Sequence, residues 1–176
     1  MLMVIAPADF RDEELLEPKA LFEAGGAAVE VASTTTDVAR GMLGAEVTPD
    51  LALSEVDPHR YVAIAIAGGT GAPTHLWGDA ALHALLRTAR DRGTPIGAIC
   101  LSPAVLARAG LLRGVRATVY GDEAARRELE RGGAIHVGGH VVSDQGIVTA
   151  AGPRDAGAFA RALLQLLHGA ARRTGS

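Results

Sequence analysis

Ile96-Gly-Ala-Ile-Cys100-Leu-Ser102-Pro103-Ala-Val-Leu-Ala-Arg-Ala109 reads as strand, turn and helix in immediate succession. Ile96–Cys100 is a short apolar run that suits a strand buried on both faces, and Pro103–Ala109 turns at once to helical spacing. Cys100, the sole cysteine, stands at the end of the strand, with the small residues Ala98 and Ser102 two positions to either side. A sharp strand-to-helix turn crowds the backbone, so a nucleophile placed there needs small neighbours. Its sulfur would face the N-terminus of the next helix, whose amide dipoles favour the thiolate, which predicts a thiol titrating below a free cysteine. The plainer alternative is a buried cysteine that packs as a small hydrophobe. In open α/β sheets, sites form beyond the carboxyl ends of the strands, and Cys100 is at such a place.

Outward from this segment, the apolar runs Met1–Ala6, Ala27–Ala32, Tyr61–Ala67 and Ala117–Tyr120 alternate with helical patterns at Leu15–Glu23, Asp79–Arg92 and Glu123–Arg131. The alternation predicts one doubly wound α/β domain, a mostly parallel sheet sandwiched by helices in the flavodoxin-like manner. From Ile135 to Val148 short β segments are broken by Gly138-Gly139 and Asp144-Gln145-Gly146, which predicts a small β-hairpin insertion before a last helix at Arg154–His168. The domain is expected over residues 1–169, with 170–176 as a C-terminal tail.

The chain has 176 residues, 48% of them apolar, long enough to bury a sizeable core. Its 17 basic and 20 acidic residues are interspersed, for a net charge of -3. That balance offers no electrostatic footprint for nucleic acid or an anionic membrane, so neither partner is expected. The opening run Met1–Pro7 is too short for a membrane span and lacks the basic flank and cleavage site of a signal peptide, and the expected location is the cytoplasm. One cysteine excludes an intramolecular disulfide framework and a multi-cysteine zinc site.

Two other segments fall beyond strand ends. Gly68-Gly-Thr-Gly71-Ala-Pro73 follows Tyr61–Ala67, and its glycines would let amides approach a ligand or supply an oxyanion donor. No lysine follows, so it is not a phosphate loop, and alone it reads as a turn. Pro7-Ala-Asp-Phe10-Arg-Asp-Glu13-Glu14-Leu-Leu-Glu17-Pro18 follows the first strand. Its acids suit the first turn of a helix, or one of them points back over the strand ends as a proton donor to the thiolate. Spacing does not choose among them. The six histidines are scattered. His136 and His140 have a ligand-like gap, but on a glycine-broken hairpin nothing fixes both rings on one face, so no metal site is expected.

Together these residues resemble the ThiJ/PfpI family, relatives of the parkinsonism-associated protein and of the class I glutamine amidotransferase domain. The resemblance rests on Ala8-Asp-Phe10-Arg-Asp-Glu-Glu14-Leu-Leu-Glu-Pro18, Ala67-Gly-Gly69, Ala98-Ile-Cys100-Leu-Ser-Pro103, Ala109-Gly-Leu-Leu-Arg-Gly114 followed by Ala117-Thr-Val-Tyr120, and Ala151-Gly-Pro153. Their order and spacing cover nearly the whole chain. The resemblance implies that Cys100 is the elbow nucleophile and Glu14 the buried glutamate on its sulfur, with Gly69 and Leu101 giving main-chain amides to an oxyanion. The chemistry is consistent, because a carboxyl close to a thiolate holds its proton and can donate it to sulfur. Two departures stand out. Peptidase relatives place a histidine directly after the cysteine, where this chain has Leu101. Relatives with glyoxalase or deglycase activity often carry a histidine where this chain has Tyr120, whose hydroxyl can orient substrate but is a poor base near neutral pH.

The expected function is a cofactor-independent cysteine enzyme acting on small reactive carbonyls, a glyoxalase or deglycase-like conversion of 2-oxoaldehydes to 2-hydroxy acids. Its partner is then a small-molecule electrophile, an aldehyde, and the resemblance implies a homodimer or larger homo-oligomer. The alternative is a redox-sensing or chaperone-like stress protein with an oxidisable Cys100. A PfpI-type cysteine peptidase and an isonitrile hydratase-like enzyme rank lower, the peptidase because of Leu101.

Overall fold

The computed structural model describes the backbone of residues 1–174 and the side chains of residues 1–169. Its strands are β1 (Leu2–Val4), β2 (Ala8–Phe10), β3 (Glu30–Ser33), β4 (Ala39–Gly41), β5 (Glu46–Val47), β6 (Leu51–Ala52), β7 (Ile64–Ile66), β8 (Ile96–Ile99), β9 (Arg116–Ala117), β10 (Ile135–His136), β11 (Val141–Asp144) and β12 (Ile147–Ala150). The helices are α1 (Asp12–Ala24), α2 (Ala72–His75), α3 (Ala80–Asp91), α4 (Pro103–Arg108), α5 (Glu123–Arg131) and α6 (Ala156–Thr174).

Seven strands form the main sheet in the order β11-β12-β8-β7-β1-β3-β6. Every pairing is parallel except β11 with β12. The central strands β1, β7 and β8 are buried along their whole length, which is why each reads as an unbroken apolar run. Helices α1 and α6 pack on each other, and α4 packs on α3 and α5. Both groups also contact β8, so the sheet is covered on its two faces, as the alternating pattern predicts. The strand order reverses between β1 and β7, and the crevice at such a switch point is where α/β sheets bind ligands.

Local signals explain the helix starts. The Asp79 side chain accepts from the Leu82 amide at 2.7 Å and Asp122 from the Ala125 amide at 2.8 Å, capping α3 and α5. Helix α1 has no side-chain cap at Arg11 and begins with three acids, Asp12, Glu13 and Glu14. It starts three residues before the apolar spacing does.

Three elements differ from the sequence reading. The hairpin before the last helix is present as β11 and β12, joined by Gln145 and Gly146, whose φ values of 48° and 79° suit a tight two-residue turn. Its second strand is buried throughout and belongs to the parallel sheet, so the hairpin extends the sheet rather than standing apart from it. The run Ala117–Tyr120 contributes only Ala117 to a strand, which pairs with β10 outside the main sheet. Thr118 instead bonds sideways, its amide to the Thr149 hydroxyl and its own hydroxyl to the Gly139 carbonyl. Helix α6 continues to Thr174, into the segment read as a tail, whose last residues 175 and 176 lie outside the described residues. A small sheet of β2, β4 and β5 was not legible in the sequence.

Gly97 on β8 lies against α6. A Cβ there would come within 2.7 Å of Phe159 Cζ and 3.2 Å of Leu163 Cδ2, both fully buried. Gly97→Ala is expected to cost about 1–3 kcal/mol through overpacking. Thermal unfolding should show a lower Tm, and a variant melting with the wild type would mean that the Phe159 ring makes way freely.

Candidate active site

Cys100 follows directly on β8 and adopts a φ of 62°, a left-handed conformation uncommon for a side chain with a Cβ. The turn is pinned on every side. The Cys100 amide donates to the Ala150 carbonyl at 2.9 Å, and the Cys100 carbonyl accepts from the Tyr120 amide at 2.9 Å. The Ser102 amide donates to Ile99 at 3.0 Å, and the buried Ser102 hydroxyl donates to the Ala67 carbonyl at the end of β7, at 2.7 Å. These bonds offset a conformation that costs on the order of 1–3 kcal/mol. Cys100 as a whole is 6% exposed.

Glycines at the end of β7 let the neighbouring chains close in. A Cβ on Gly68 would lie 2.6 Å from Cys100 Cβ and 2.8 Å from Glu14 Oε2. One on Gly69 (φ 107°) would lie 2.3 Å from the Asp9 carbonyl, and one on Gly71 would lie 1.8 Å from the Ala8 carbonyl. The chain after β1 is thereby drawn against the 68–71 turn, with the Arg11 amide on the Gly68 carbonyl and the Gly71 amide on the Asp9 carbonyl, both at 3.0 Å.

The three acids at the start of α1 take separate roles. Asp12 is buried and accepts from the Leu43 and Ala45 amides at 2.8 and 2.7 Å, holding the 41–45 loop. Glu13 pairs with Arg11 through two bonds of 2.8 and 3.0 Å. Glu14 is fully buried beside Cys100, and its Oε2 accepts the Gly68 amide at 2.7 Å. Its Oε1 is the one buried side-chain oxygen or nitrogen without a hydrogen-bond partner among the described residues. The choice that spacing left open therefore falls on Glu14.

Burial raises the Glu14 carboxyl to about 7, against smaller opposing pulls from the Gly68 amide and Cys100. Burial and the adjacent Glu14 charge push the Cys100 thiol up to about 12, while the amides of Gly69 and Leu101 draw it down. The depressed thiol expected from the helix N-terminus is thus reversed. Helix α4 is only six residues long, too short for its dipole to outweigh desolvation.

A cavity of about 110 Å³ opens onto the sulfur, lined by Arg11, Met42, Gly69, Thr70, Cys100, Leu101, Tyr120 and Pro153. Cys100, Gly69, Leu101 and Tyr120 all line it, with Glu14 behind the sulfur, so the structure gathers every site residue read from the sequence. Tyr120 stands at the rim, 48% exposed. Met42, brought in by the loop on Asp12, was missed because nothing in its local sequence links it to residues so distant along the chain. His140 binds Asp155 through Nδ1 at 2.9 Å, and no cluster of metal-ligating side chains occurs among the described residues. A larger depression of about 630 Å³ at the opposite end of the sheet is lined by Gly93, Pro95 and the Ser143–Gly146 turn. It lies apart from Cys100 and Glu14. No helix among the described residues is long and apolar enough to cross a membrane.

Comparison with known proteins agrees with this fold. The sequence profile of the DJ-1/PfpI family matches residues 1–166. An uncharacterized protein of Methanocaldococcus jannaschii is 46% identical over 167 residues, covering 95% of this chain and 82% of the relative. A deglycase of Pyrococcus abyssi is 31% identical, covering 94% of this chain and 98% of its own. A glutathione-independent glyoxalase of Caenorhabditis elegans is 29% identical, covering 96% and 88%. The crystal structure of a ThiJ/PfpI domain protein from Brachyspira murdochii superposes with a TM-score of 0.89 at 33% identity, over 96% of this chain and 95% of that one.

Two contacting acids lose their protons in steps that belong to the pair. The first loss, at about 7, falls on Glu14, whose carboxylate then holds the Cys100 thiol protonated up to about 12. Iodoacetamide labelling of Cys100 should therefore rise only above the range of a free thiol. A rise at or below the free-thiol range would contradict this. The same carboxyl links stability to pH. Below 4.5 it is protonated in folded and unfolded chains alike; between 4.5 and 7 the unfolded chain ionises first, and stability falls by about 3 kcal/mol. Urea titrations of wild type and Glu14→Gln should diverge in that window and run parallel above it.

Proposed function

The chain belongs to the DJ-1/PfpI family, and from that footing we infer that it is a cofactor-independent cysteine enzyme converting small 2-oxoaldehydes to 2-hydroxy acids. The observation that carries this reading is the buried Glu14 carboxyl beside Cys100, with one oxygen unpartnered and a proton affinity near neutrality. Such a group can both take and return a proton at working pH. The deglycase and glyoxalase names of two relatives support it, as does the small cavity at the sulfur.

The Cys100 sulfur adds to the aldehyde carbon, and its proton passes to the substrate oxygen, giving a hemithioacetal. While negative charge resides on that oxygen, the amides of Gly69 and Leu101 stabilise it. Glu14 removes the hydrogen on the former aldehyde carbon and returns a proton to the adjacent carbon, turning the ketone into an alcohol and the hemithioacetal into a thioester. Water then cleaves the thioester, releasing the 2-hydroxy acid and the thiol. Oxidation at one carbon balances reduction at the next, so no external oxidant enters. Tyr120 at the rim orients the substrate.

The redox-sensing alternative needs a standing thiolate. A thiol pushed up to about 12 works against it, whereas an electrophile that accepts the thiol proton does not require one. The peptidase alternative lacks a donor for the leaving amine, since position 101 is an alkyl side chain and Glu14 serves the sulfur. A homodimer forms part of this proposal: Leu16, Val38, Met42 and Leu43 are exposed apolar side chains, and light scattering measures the mass.

Wild-type protein should convert methylglyoxal to lactate, and both Cys100→Ala and Glu14→Gln should lose at least about 100-fold in kcat. Turnover surviving in Glu14→Gln would remove the carboxyl from the mechanism. Peptide hydrolysis present in wild type and lost in Cys100→Ala would instead favour the peptidase reading.

A further inference from the structure

Trp77, the only tryptophan in the chain, is buried beneath the site without lining the cavity. Its indole N–H donates to the Leu101 carbonyl at 2.8 Å. Two successive peptide units make up the turn after Cys100. In the first, the Cys100 carbonyl is held by the Tyr120 amide; in the second, the Ser102 amide is held by Ile99 and the Leu101 carbonyl by Trp77. Three of the four polar groups are thus committed to partners. The fourth, the Leu101 N–H, has no main-chain acceptor and sits where Leu101 and Cys100 line the cavity together, and it draws the thiol down. Peptide units are planar, so fixing the groups on either side of Leu101 leaves its N–H little freedom to turn away.

The indole is itself held. The Arg108 guanidinium lies over its ring, 5.2 Å from the centroid, within cation–π range. Arg108 makes a two-point pair with the buried Glu128, Nε to Oε2 at 2.8 Å and Nη2 to Oε1 at 2.9 Å. The Trp77 carbonyl lies 2.9 Å from His83 Nε2, tying the segment to α3.

We propose that Trp77 is the positioning residue of the Cys100 elbow, fixing the Leu101 peptide so that its amide faces the sulfur and the substrate oxygen, with Arg108 and Glu128 setting the indole. The role of Trp77 rests on the reading of Leu101 as an oxyanion donor, and its effect on the thiol does not depend on which electrophile reacts. Trp77→Phe keeps an aromatic ring in the core and removes only the donor. One lost hydrogen bond corresponds to about a fivefold effect. Trp77→Phe should lower the rate of iodoacetamide labelling of Cys100 at pH 8 about fivefold and move its pH profile upward. With methylglyoxal it should lower kcat by a similar factor while leaving KM near wild type. Arg108→Gln, which keeps the donor and frees the ring, should show a smaller change in the same direction and a shifted tryptophan emission. It also provides the test should Trp77→Phe fail to fold. Labelling profiles in both variants that coincide with the wild type would overturn the proposal. Absence of methylglyoxal turnover in the wild type would instead remove the proposed reaction and leave the labelling result to decide the role of Trp77.

Discussion

A side chain with a Cβ held at a φ of 62° at the end of a buried strand imposes demands on everything around it. The turn persists because its polar groups are claimed from separate directions: β12 takes the Cys100 amide, the Tyr120 segment the Cys100 carbonyl, and β7 the Ser102 hydroxyl. The first and last of those partners are positioned by the parallel sheet, so the sheet order is also a scaffold of the turn. Approach of the strand ends in turn requires hydrogen rather than a side chain at Gly68, Gly69 and Gly71, where any Cβ would fall inside its neighbours.

The first turn of α1 shows how one short acidic run serves fold and chemistry together. Asp12 secures the 41–45 loop that brings Met42 to the cavity, Glu13 engages Arg11 at its edge, and Glu14 turns inward to the sulfur. Pro18, four residues on, has no N–H to return to the Glu14 carbonyl, which removes one helical bond at the level of the buried acid. Burying a carboxyl with an unpaired oxygen is destabilising, and groups of this kind concentrate where proton affinities are tuned.

Much of this was legible before the fold was known, and the parts that were not share a cause. Helix α5 and the strand–turn–helix at Cys100 carry strong local signals, a capping aspartate in one and an apolar run ending at a proline-started helix in the other. Cys100 and the acidic run after the first strand could be placed at one edge of the sheet because both follow strand ends, and the family resemblance then singled out Glu14. The β2–β4–β5 sheet escaped because its strands are two or three residues long and partly polar, below the length at which alternation registers. The thiol's proton affinity escaped for another reason: a helix start is visible in sequence, whereas the desolvation that outweighs it depends on which distant residues cover the sulfur. Trp77 carried no signal at all, since its role is a single bond to a carbonyl.

The glycine cradle has a consequence for how such a protein diversifies. The amides of Gly69 and Leu101, which draw the Cys100 thiol down, belong to the main chain and survive most substitutions, while the glycine positions themselves tolerate almost none. Met42, Thr70, Tyr120 and Pro153 border the same cavity with side chains and are not bound by these backbone demands. Variation is thereby channelled to the rim, where it alters which molecule enters without dismantling the machinery that would act on it. Descendants of one ancestral chain can then diverge in diet while keeping the same chemistry.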